Sequence, residues 1–153
     1  MDGYLAWLRS RVGHDKIQLV FAIACVLRDQ DVLLQHRDTG GWGFPGGALE
    51  LGETAHDAAV RETLEETGVP IAVTDLIGVY TNYEQRYPNG DIAQPIVIAF
   101  RAIPLGDPQP EQRLSTETVH AAYVNLDNIP PLFNQQHRDV LADLTAGRTG
   151  VFR

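Results

Sequence analysis

The sequence is short of cysteine, of basic residues and of long apolar runs, and each shortage excludes a class of protein. Its 153 residues contain one cysteine, Cys25, so no intramolecular disulfide can form and a reduced, cytoplasmic protein is expected. Twelve Lys and Arg residues against 20 Asp and Glu give a net charge of -8, which argues against nucleic-acid or membrane-surface partners. No apolar run reaches the roughly 18 residues of a membrane span, and no signal peptide is apparent at the start.

The order of apolar runs predicts a mixed α/β fold in one domain over residues 1–153, since 44% hydrophobic content suits a single compact core. A short amphipathic helix over residues 3–12 has an apolar stripe that would pack on the sheet or form a homodimer contact. Extended segments are predicted at 17–27, 32–37, 69–87, 92–103 and 118–126, and a C-terminal helix at 134–146. Strands on both sides of a central helix predict a mixed sheet covered by helices.

Turn signals connect these segments. Residues 28–31 form a tight polar turn that makes the first two strands a hairpin, and Asn89-Gly90 is the strongest short signal for a second hairpin. Residues 104–110 contain three prolines and predict a loop that neither a helix nor a central strand would tolerate.

The most informative stretch is a glycine-rich connection, residues 38–47, that leads into an acidic helix. Thr54 predicts the N-cap of this helix and Gly68 its C-terminal stop, so the helix covers residues 55–67. Three glutamates spaced i, i+3 and i+4 share one helix face: Glu62, Glu65 and Glu66.

This acidic face has two interpretations. On a solvated helix the repulsion costs only a few tenths of a kcal/mol per pair, which a surface helix tolerates. Beside a pocket, the three carboxylates would need a hard divalent cation, and Mg2+ fits because it accepts a few carboxylates, water and substrate phosphates. A bound cation would also let so acidic a chain hold a phosphorylated substrate.

Seven residues of the stretch fall in the register G-x5-E-x7-R-E-x2-E-E-x-G: Gly47, Glu53, Arg61, Glu62, Glu65, Glu66 and Gly68. In this register, over residues 47–69, the chain resembles the Nudix (MutT-like) hydrolases. The resemblance implies an α/β/α sandwich with a mixed sheet between helices. It also implies hydrolysis of a phosphoanhydride bond in a nucleoside diphosphate linked to another group. Thr63 departs from the family pattern, which usually has an aliphatic residue there.

The resemblance also implies roles for these residues. The metal, Mg2+ or Mn2+ in its place, would be held by the Gly47 carbonyl and by carboxylates of Glu53, Glu62, Glu65 and Glu66. Arg61 would orient a catalytic glutamate, although a surface pair with Glu65 at i+4 is the other interpretation. The catalytic set is then Arg61, Glu62, Glu65 and Glu66, and the general base stays open between Glu62 and a residue outside the motif.

Four residues outside the motif are candidates for substrate binding. Arg37 ends the second strand near the glycine-rich loop, where it could contact phosphate or lie in solvent. Trp42 could touch a nucleobase or pack the loop, and Tyr87 could stack a base or pack in the sheet. Glu117, before the last strand, is either an additional acid of the site or a solvated loop residue.

The turn around Asn89-Gly90 resembles a hairpin in a family branch that includes proteins named ADP-ribose pyrophosphatase. The resemblance therefore favours a pyrophosphohydrolase of ADP-ribose-like molecules or nucleoside triphosphates, and the alternative is a non-catalytic ADP-ribose or nucleotide sensor. The motif does not distinguish among these substrates, because base and sugar are bound by other strands and loops.

Overall fold

The computed structural model describes residues 3–153. Its three helices are α1 (Tyr4–Val12), α2 (Ala55–Thr67) and α3 (Gln135–Thr145). Its nine strands are β1 (Ile17–Arg28), β2 (Asp31–Arg37), β3 (Trp42–Gly43), β4 (Gly46–Ala48), β5 (Ile71–Tyr80), β6 (Gln85–Arg86), β7 (Ile92–Pro104), β8 (Thr118–Asn125) and β9 (Val151–Phe152). None of the helices within residues 3–153 combines the length and the apolarity needed to cross a membrane.

The strands form one mixed sheet, as expected. The longest pairings are β1 with β7, in parallel, and β5 with β7, antiparallel. β2 pairs with β8 along its length, while β1 and β2 pair only next to their turn, at Leu27–Val32 and Arg28–Asp31. The predicted first hairpin is therefore present but short, because the two strands diverge into different parts of the sheet.

Helices α2 and α3 cover opposite faces of the sheet, and the alternation along β1 shows why. Ala22, Ala24 and Val26 join the core beneath α2, whereas Ile23 and Cys25 join the core beneath α3. Residues 22–26 are all buried, so β1 is covered on both faces, as its continuous apolar run predicts. The α/β/α sandwich is confirmed.

The sequence interpretation was wrong or incomplete at four places in the strands and loops. The extended segment predicted over residues 69–87 is divided into β5 and β6, with residues 81–84 outside any strand. The glycine-rich connection contains two short strands, β3 and β4, because its tight turns let the backbone join the sheet edge. The proline-rich loop contains a 3-10 turn, Pro110–Gln112, with a proline at its start where no N–H is needed. β9 was not predicted at all, since two residues are too short to give a periodic pattern.

Helix α1 lies on the body of the protein through polar contacts. Its residues include no buried side chain, and Trp7 is 55% exposed. Arg9 donates to the Ile92 carbonyl at 2.8 Å, and the Tyr4 N–H donates to Glu50 Oε2 at 3.1 Å. The predicted apolar stripe therefore does not pack into the core of this chain.

The boundaries of α2 are those predicted. The Thr54 hydroxyl accepts the Asp57 N–H at 3.0 Å, which satisfies one of the free donors at the helix start. Gly68 has φ +74° and its N–H donates to the Leu64 carbonyl at 2.8 Å. A left-handed glycine is what this helix end requires, so both ends of the acidic helix are fixed by local sequence.

Candidate functional site

The glycine-rich strand β4 lies between β1 and the acidic helix. Gly47 pairs with Ala22 of β1, and the Glu62 side chain lies directly against the Gly47 backbone. A Cβ atom at Gly47 would lie 2.6 Å and 2.8 Å from the two Glu62 carboxylate oxygens, far closer than any real contact. Only glycine therefore leaves room for the Glu62 carboxylate at this position.

Arg61 donates hydrogen bonds to three glutamates, Glu53, Glu62 and Glu65, which with Glu66 form the acidic cluster. Its Nε and Nη2 donate to the two oxygens of Glu53 at 2.6 Å and 2.9 Å, and its Nη1 donates to Glu62 Oε1 at 2.7 Å. The same Nη1 reaches Glu65 Oε2 at 3.3 Å. Arg61 therefore contacts both Glu62 and Glu65, but its bidentate fork goes to Glu53 and not to a glutamate of the helix.

Glu53 is already well supplied with donors. Besides the Arg61 fork, the Glu50 N–H donates to Glu53 Oε2 at 3.0 Å. The Arg61 hydrogen bonds lower the pKa of the Glu53 carboxyl below its ordinary value. Glu53 is thus ionised, and both of its oxygens accept hydrogen bonds.

The pKa values of Glu62 and Glu66 are shifted in the direction opposite to that of Glu53. Burial raises the pKa of Glu62, and Arg61 only partly offsets that effect. Glu66 is 5% exposed, and burial raises its pKa to about 8, against the lowering effect of the Gly46 N–H. Of the residues in the described chain, no lysine or arginine donates a hydrogen bond to Glu66.

Glu66 is held by neutral donors. Its Oε2 accepts the Gln35 amide at 2.7 Å and the Gly46 N–H at 2.9 Å. Gln35 is 4% exposed, and its own Oε1 accepts the hydroxyl of Thr118. Neither Gln35 nor Thr118 was predicted as a site residue. The only signal for Gln35 is its position directly after the apolar residues 32–34 of β2.

Three of the four candidate substrate residues lie at a strand end or in a loop: Arg37 ends β2, Tyr87 follows β6 and Glu117 precedes β8. Burial raises the pKa of Tyr87, as it does that of Glu66, and the charges of Arg37 and Glu117 act on both groups. The Arg37 guanidinium lies 4.9 Å from the ring centre of Phe133, another residue the sequence did not point to.

Trp42 is the exception. It lies edge-on to His36, with ring centres 5.2 Å apart, and edge-on to His120 at 5.9 Å. Its backbone carbonyl accepts the Phe133 N–H at 2.9 Å. Trp42 therefore packs against residues of β2 and β8.

The donor chemistry of the cluster fits a hard divalent cation. Within residues 3–153 no three acidic, histidine or cysteine side chains converge as a ready-made metal cage. Glu62 nevertheless lies against the Gly47 backbone, and Glu66 is a buried carboxylate that accepts no hydrogen bond from a lysine or arginine of the described residues. Oxygen donors of this kind suit such an ion, provided that the Arg61 contacts to Glu62 and Glu65 open when it binds.

The fold and this cluster define a mixed α/β protein with a carboxylate-rich helix beside a glycine-rich strand. The chain belongs to the NUDIX domain family, whose family model matches residues 18–144. Members of this family generally use divalent metal ions, and the similarities described next mark the chain as a hydrolase of the pyrophosphatase type.

Two curated relatives support the assignment. The chain is 32% identical over 151 residues to an ADP-ribose pyrophosphatase from Methanocaldococcus jannaschii, covering 96% of this chain and 80% of that protein. It is 34% identical over 106 residues to a MutT-like protein from Streptomyces ambofaciens, covering 68% of this chain and 62% of that one.

Solved structures agree on the fold. A NUDIX hydrolase from Nitrosomonas europaea superposes with a TM-score of 0.73 at 25% identity, covering 87% of this chain and 92% of that chain. An ADP-ribose pyrophosphatase from Streptococcus suis has a TM-score of 0.66 at 20% identity, with 88% and 96% covered. The second likeness shows the shared fold alone.

Proposed function

We propose that this chain is a single-domain, Mg2+-dependent pyrophosphohydrolase that cleaves the phosphoanhydride bond of a nucleoside diphosphate linked to another group. The observation that carries the proposal is the pair of carboxylates Glu62 and Glu66. One rests on the Gly47 backbone, and the other is 5% exposed without a hydrogen bond from a described cation. A buried carboxylate of this kind is stabilised by a metal ion when no basic side chain is supplied.

The metal would be held by Glu62 and Glu66, with the Gly47 carbonyl and Glu65 completing the protein ligands. When bound, Mg2+ neutralises phosphate charge and lowers the pKa of a coordinated water. Glu53 acts through Arg61, which it holds at 2.6 Å and 2.9 Å so that the guanidinium stays beside Glu62. Mn2+ has the same preference for oxygen ligands and would substitute.

The proton of the attacking water needs an acceptor near Glu66. Glu62 is one candidate, and Glu117 is the other, since its charge acts on Glu66 from the loop before β8. Arg37 supplies a cation on the same side, where a substrate phosphate could replace part of its contact with the Phe133 ring. Tyr87, on which the charges of Arg37 and Glu117 both act, would offer an aromatic surface to the substrate.

ADP-ribose is the substrate we favour, because the relative that matches 96% of this chain is named an ADP-ribose pyrophosphatase. Nucleoside triphosphates, including oxidised ones, are the second class. We place the protein in the cytoplasm, where the buried free thiol of Cys25 would stay reduced.

A substrate panel tests the proposal. ADP-ribose, nucleoside triphosphates, NADH and dinucleoside polyphosphates are incubated with Mg2+, and phosphate is measured after phosphatase treatment. We expect hydrolysis of at least one compound and its loss in excess EDTA. Hydrolysis that continues in EDTA would contradict the metal site, and tight ADP-ribose binding without product would make the chain a sensor.

A further inference from the structure

A chain of buried hydrogen bonds leads from β8 to the glycine-rich strand through Glu66. The Thr118 hydroxyl donates to Gln35 Oε1, and Gln35 Nε2 donates to Glu66 Oε2 at 2.7 Å. The Gly46 N–H donates to the same Glu66 oxygen at 2.9 Å. The three side chains are 4–5% exposed, so solvent offers them no substitute partners.

The Glu66 carboxylate, at the end of this series of hydrogen bonds, determines which group donates in each of them. The form of Glu66 that would bind a metal is the ionised carboxylate, which only accepts hydrogen bonds, so in that form the Gln35 amide must turn its NH2 group to Glu66 and its oxygen to Thr118. A hydroxyl at position 118 can donate to that oxygen and thereby holds the amide in this orientation. Two donors then fix Glu66 Oε2, and Oε1 is left as the oxygen that can face a ligand.

We infer that Gln35 is a positioning residue that holds Glu66 with Oε1 directed at the proposed metal, and that Thr118 keeps the Gln35 amide in the required orientation. This inference rests on the proposed function. Gln35 itself touches neither metal nor substrate in this scheme, and it acts only through the carboxylate that it holds.

A comparison within the chain separates positioning from simple burial of an amide. Gln136 is 2% exposed, and its Nε2 donates to two backbone carbonyls, Tyr80 at 3.1 Å and Pro95 at 2.9 Å. Those bonds join α3 to β5 and β7 and have no carboxylate at their end. The Nε2 of Gln35 instead donates to the one buried glutamate of the acidic helix. The two glutamines are therefore matched in chemistry and burial, but only Gln35 holds a carboxylate.

The same chain of bonds reaches the loop that carries Glu117. Thr118 follows Glu117 directly, and the Asp38 N–H donates to the Glu117 carbonyl at 2.8 Å. The N–H groups of Leu114 and Ser115 donate to the Glu65 carbonyl at 2.8 Å and 2.9 Å. The loop that carries Glu117 is therefore hydrogen-bonded to α2 at the turn that carries Glu66. These bonds hold the loop in a defined position relative to Glu66.

The test compares Gln35→Met with Gln136→Met, since methionine has nearly the length of glutamine but no amide. Mn2+ binding is measured by electron paramagnetic resonance in the absence of substrate, together with unfolding, kcat and KM. We expect Gln35→Met to weaken Mn2+ binding by about 10-fold to 100-fold, the usual cost of removing a partner of a metal ligand. kcat should fall by a similar factor, with KM little changed.

Gln136→Met is expected to lose comparable stability yet bind Mn2+ as the wild-type protein does. At position 118, Thr118→Val should weaken Mn2+ binding, and Thr118→Ser, which keeps the hydroxyl, should restore it relative to the valine variant. Rescue by serine would not follow from a merely structural role, because serine packs less well than valine at a buried site.

Wild-type Mn2+ affinity and kcat in a folded Gln35→Met protein would overturn the inference and leave the proposed function intact. Equal losses of Mn2+ binding in the Gln35 and Gln136 variants would also overturn it, because both would then act through stability. A wild-type protein that binds no Mn2+ would overturn this inference and the proposed function together.

Discussion

Two acids are buried within residues 3–153, one on each face of the sheet, and they receive their hydrogen bonds from different kinds of group. Glu66 of α2 is 5% exposed and Asp143 of α3 is 0% exposed. Glu66 receives its hydrogen bonds from an amide and a backbone N–H. Asp143 receives bonds at both oxygens from two arginines and a tyrosine.

The Asp143 cluster fastens the last residues of the chain to the sheet. Arg153 donates to its two oxygens at 3.0 Å and 2.9 Å, Arg148 donates at 2.9 Å, and the Tyr80 hydroxyl donates at 2.7 Å. The Arg153 hydrogen bonds hold the pKa of Asp143 well below its ordinary value. This acid carries its own counter-charges, so it has no capacity left for a ligand.

The difference shows how one fold uses the same functional group for structure and for chemistry. Burial of a carboxylate is costly unless its charge is compensated. At Asp143 two arginines provide the compensation. At Glu66 no lysine or arginine among the described residues donates a hydrogen bond, and burial raises the Glu66 pKa to about 8. This contrast is the basis of the metal site proposed above.

The largest expected effect is on turnover at Glu66. Glu66→Gln keeps the size of the side chain but removes its charge, so kcat should fall by roughly 10²-fold to 10⁴-fold, the range for a catalytic carboxylate. The metal-free variant should be at least as stable as the wild-type protein, because it no longer buries an uncompensated acid. Steady-state kinetics with Mg2+ and chemical denaturation in EDTA measure the two quantities.

Glu111→Gln is the matched control, since Glu111 is an exposed glutamate of the proline-rich loop. It should leave both turnover and stability unchanged. Full activity of Glu66→Gln would mean that the buried acid is not part of the chemistry, and the contrast with Asp143 would then lose its functional meaning.

Asp143→Asn should give the reverse pattern. The substitution leaves Arg148 and Arg153 without their carboxylate, and breaking a buried ion pair from one side costs about 3–5 kcal/mol. We expect about 3 kcal/mol, at the lower end, because the arginine side chains are 56% and 44% exposed and can return to water. Urea denaturation gives the free energy, and Asp75→Asn, at an exposed site, is the control.

Turnover per folded molecule should not change in Asp143→Asn, because the cluster lies beneath α3 on the face opposite Glu66. A fall in kcat at temperatures where the variant is fully folded would show that the two faces are coupled.

The pH dependence of stability distinguishes the ionic contribution of Asp143 from its packing. The folded pKa is lowered, so the stabilisation is present above the unfolded pKa of about 3.9 and is lost as pH falls towards the folded value. The difference in unfolding free energy between wild type and Asp143→Asn should be constant from about pH 7 to 5. Below about pH 4 it should shrink by up to about 1.4 kcal/mol per pH unit.

This is measured by urea denaturation at a series of pH values on both proteins. A difference that stays constant down to pH 3 would mean that the carboxylate is stabilised by packing and neutral hydrogen bonds alone.

The contrast between these two acids also marks what the sequence could predict. The acidic helix was located correctly because its ends have local causes, the Thr54 cap and the left-handed Gly68, and its glutamates follow a fixed spacing. The Asp143 cluster was not anticipated. Its partners Tyr80 and Arg153 lie 63 and 10 residues away along the chain, and no local pattern links them.

The surroundings of Glu66 were missed for the same reason. Gln35 lies 31 residues from Glu66, and Thr118 lies 83 residues from Gln35. Each appears in the sequence as a polar residue at a strand, and only the pairing of β2 with β8 and the packing of α2 bring them together. Trp42 was predicted either to touch a nucleobase or to pack the loop, and in the structure it packs against two histidines.

The smallest effects are expected for alanine substitutions at two glycines, one in the region of Glu66 and one in the region of Asp143. In Gly47→Ala the new methyl would meet the Glu62 carboxylate, which is the movable end of a flexible side chain. Stability should therefore change little, while displacement of Glu62 should lower kcat about tenfold, since even a 1 Å misplacement in a site can cost up to 10²-fold. Thermal unfolding and kinetics on the same preparation separate the two outcomes.

Gly78→Ala is the counterpart on β5. Its methyl would lie 2.7 Å from Val151 Cβ and 2.9 Å from the Val151 carbonyl carbon, where backbone cannot yield without moving β9. Such overpacking costs about 1–3 kcal/mol, so the unfolding free energy should fall while kcat per folded molecule stays at the wild-type value. A Gly47→Ala protein that instead lost stability and kept its turnover would show that glycine at position 47 is required for folding and not for activity. The region of Glu66 would in that case be structural, like that of Asp143.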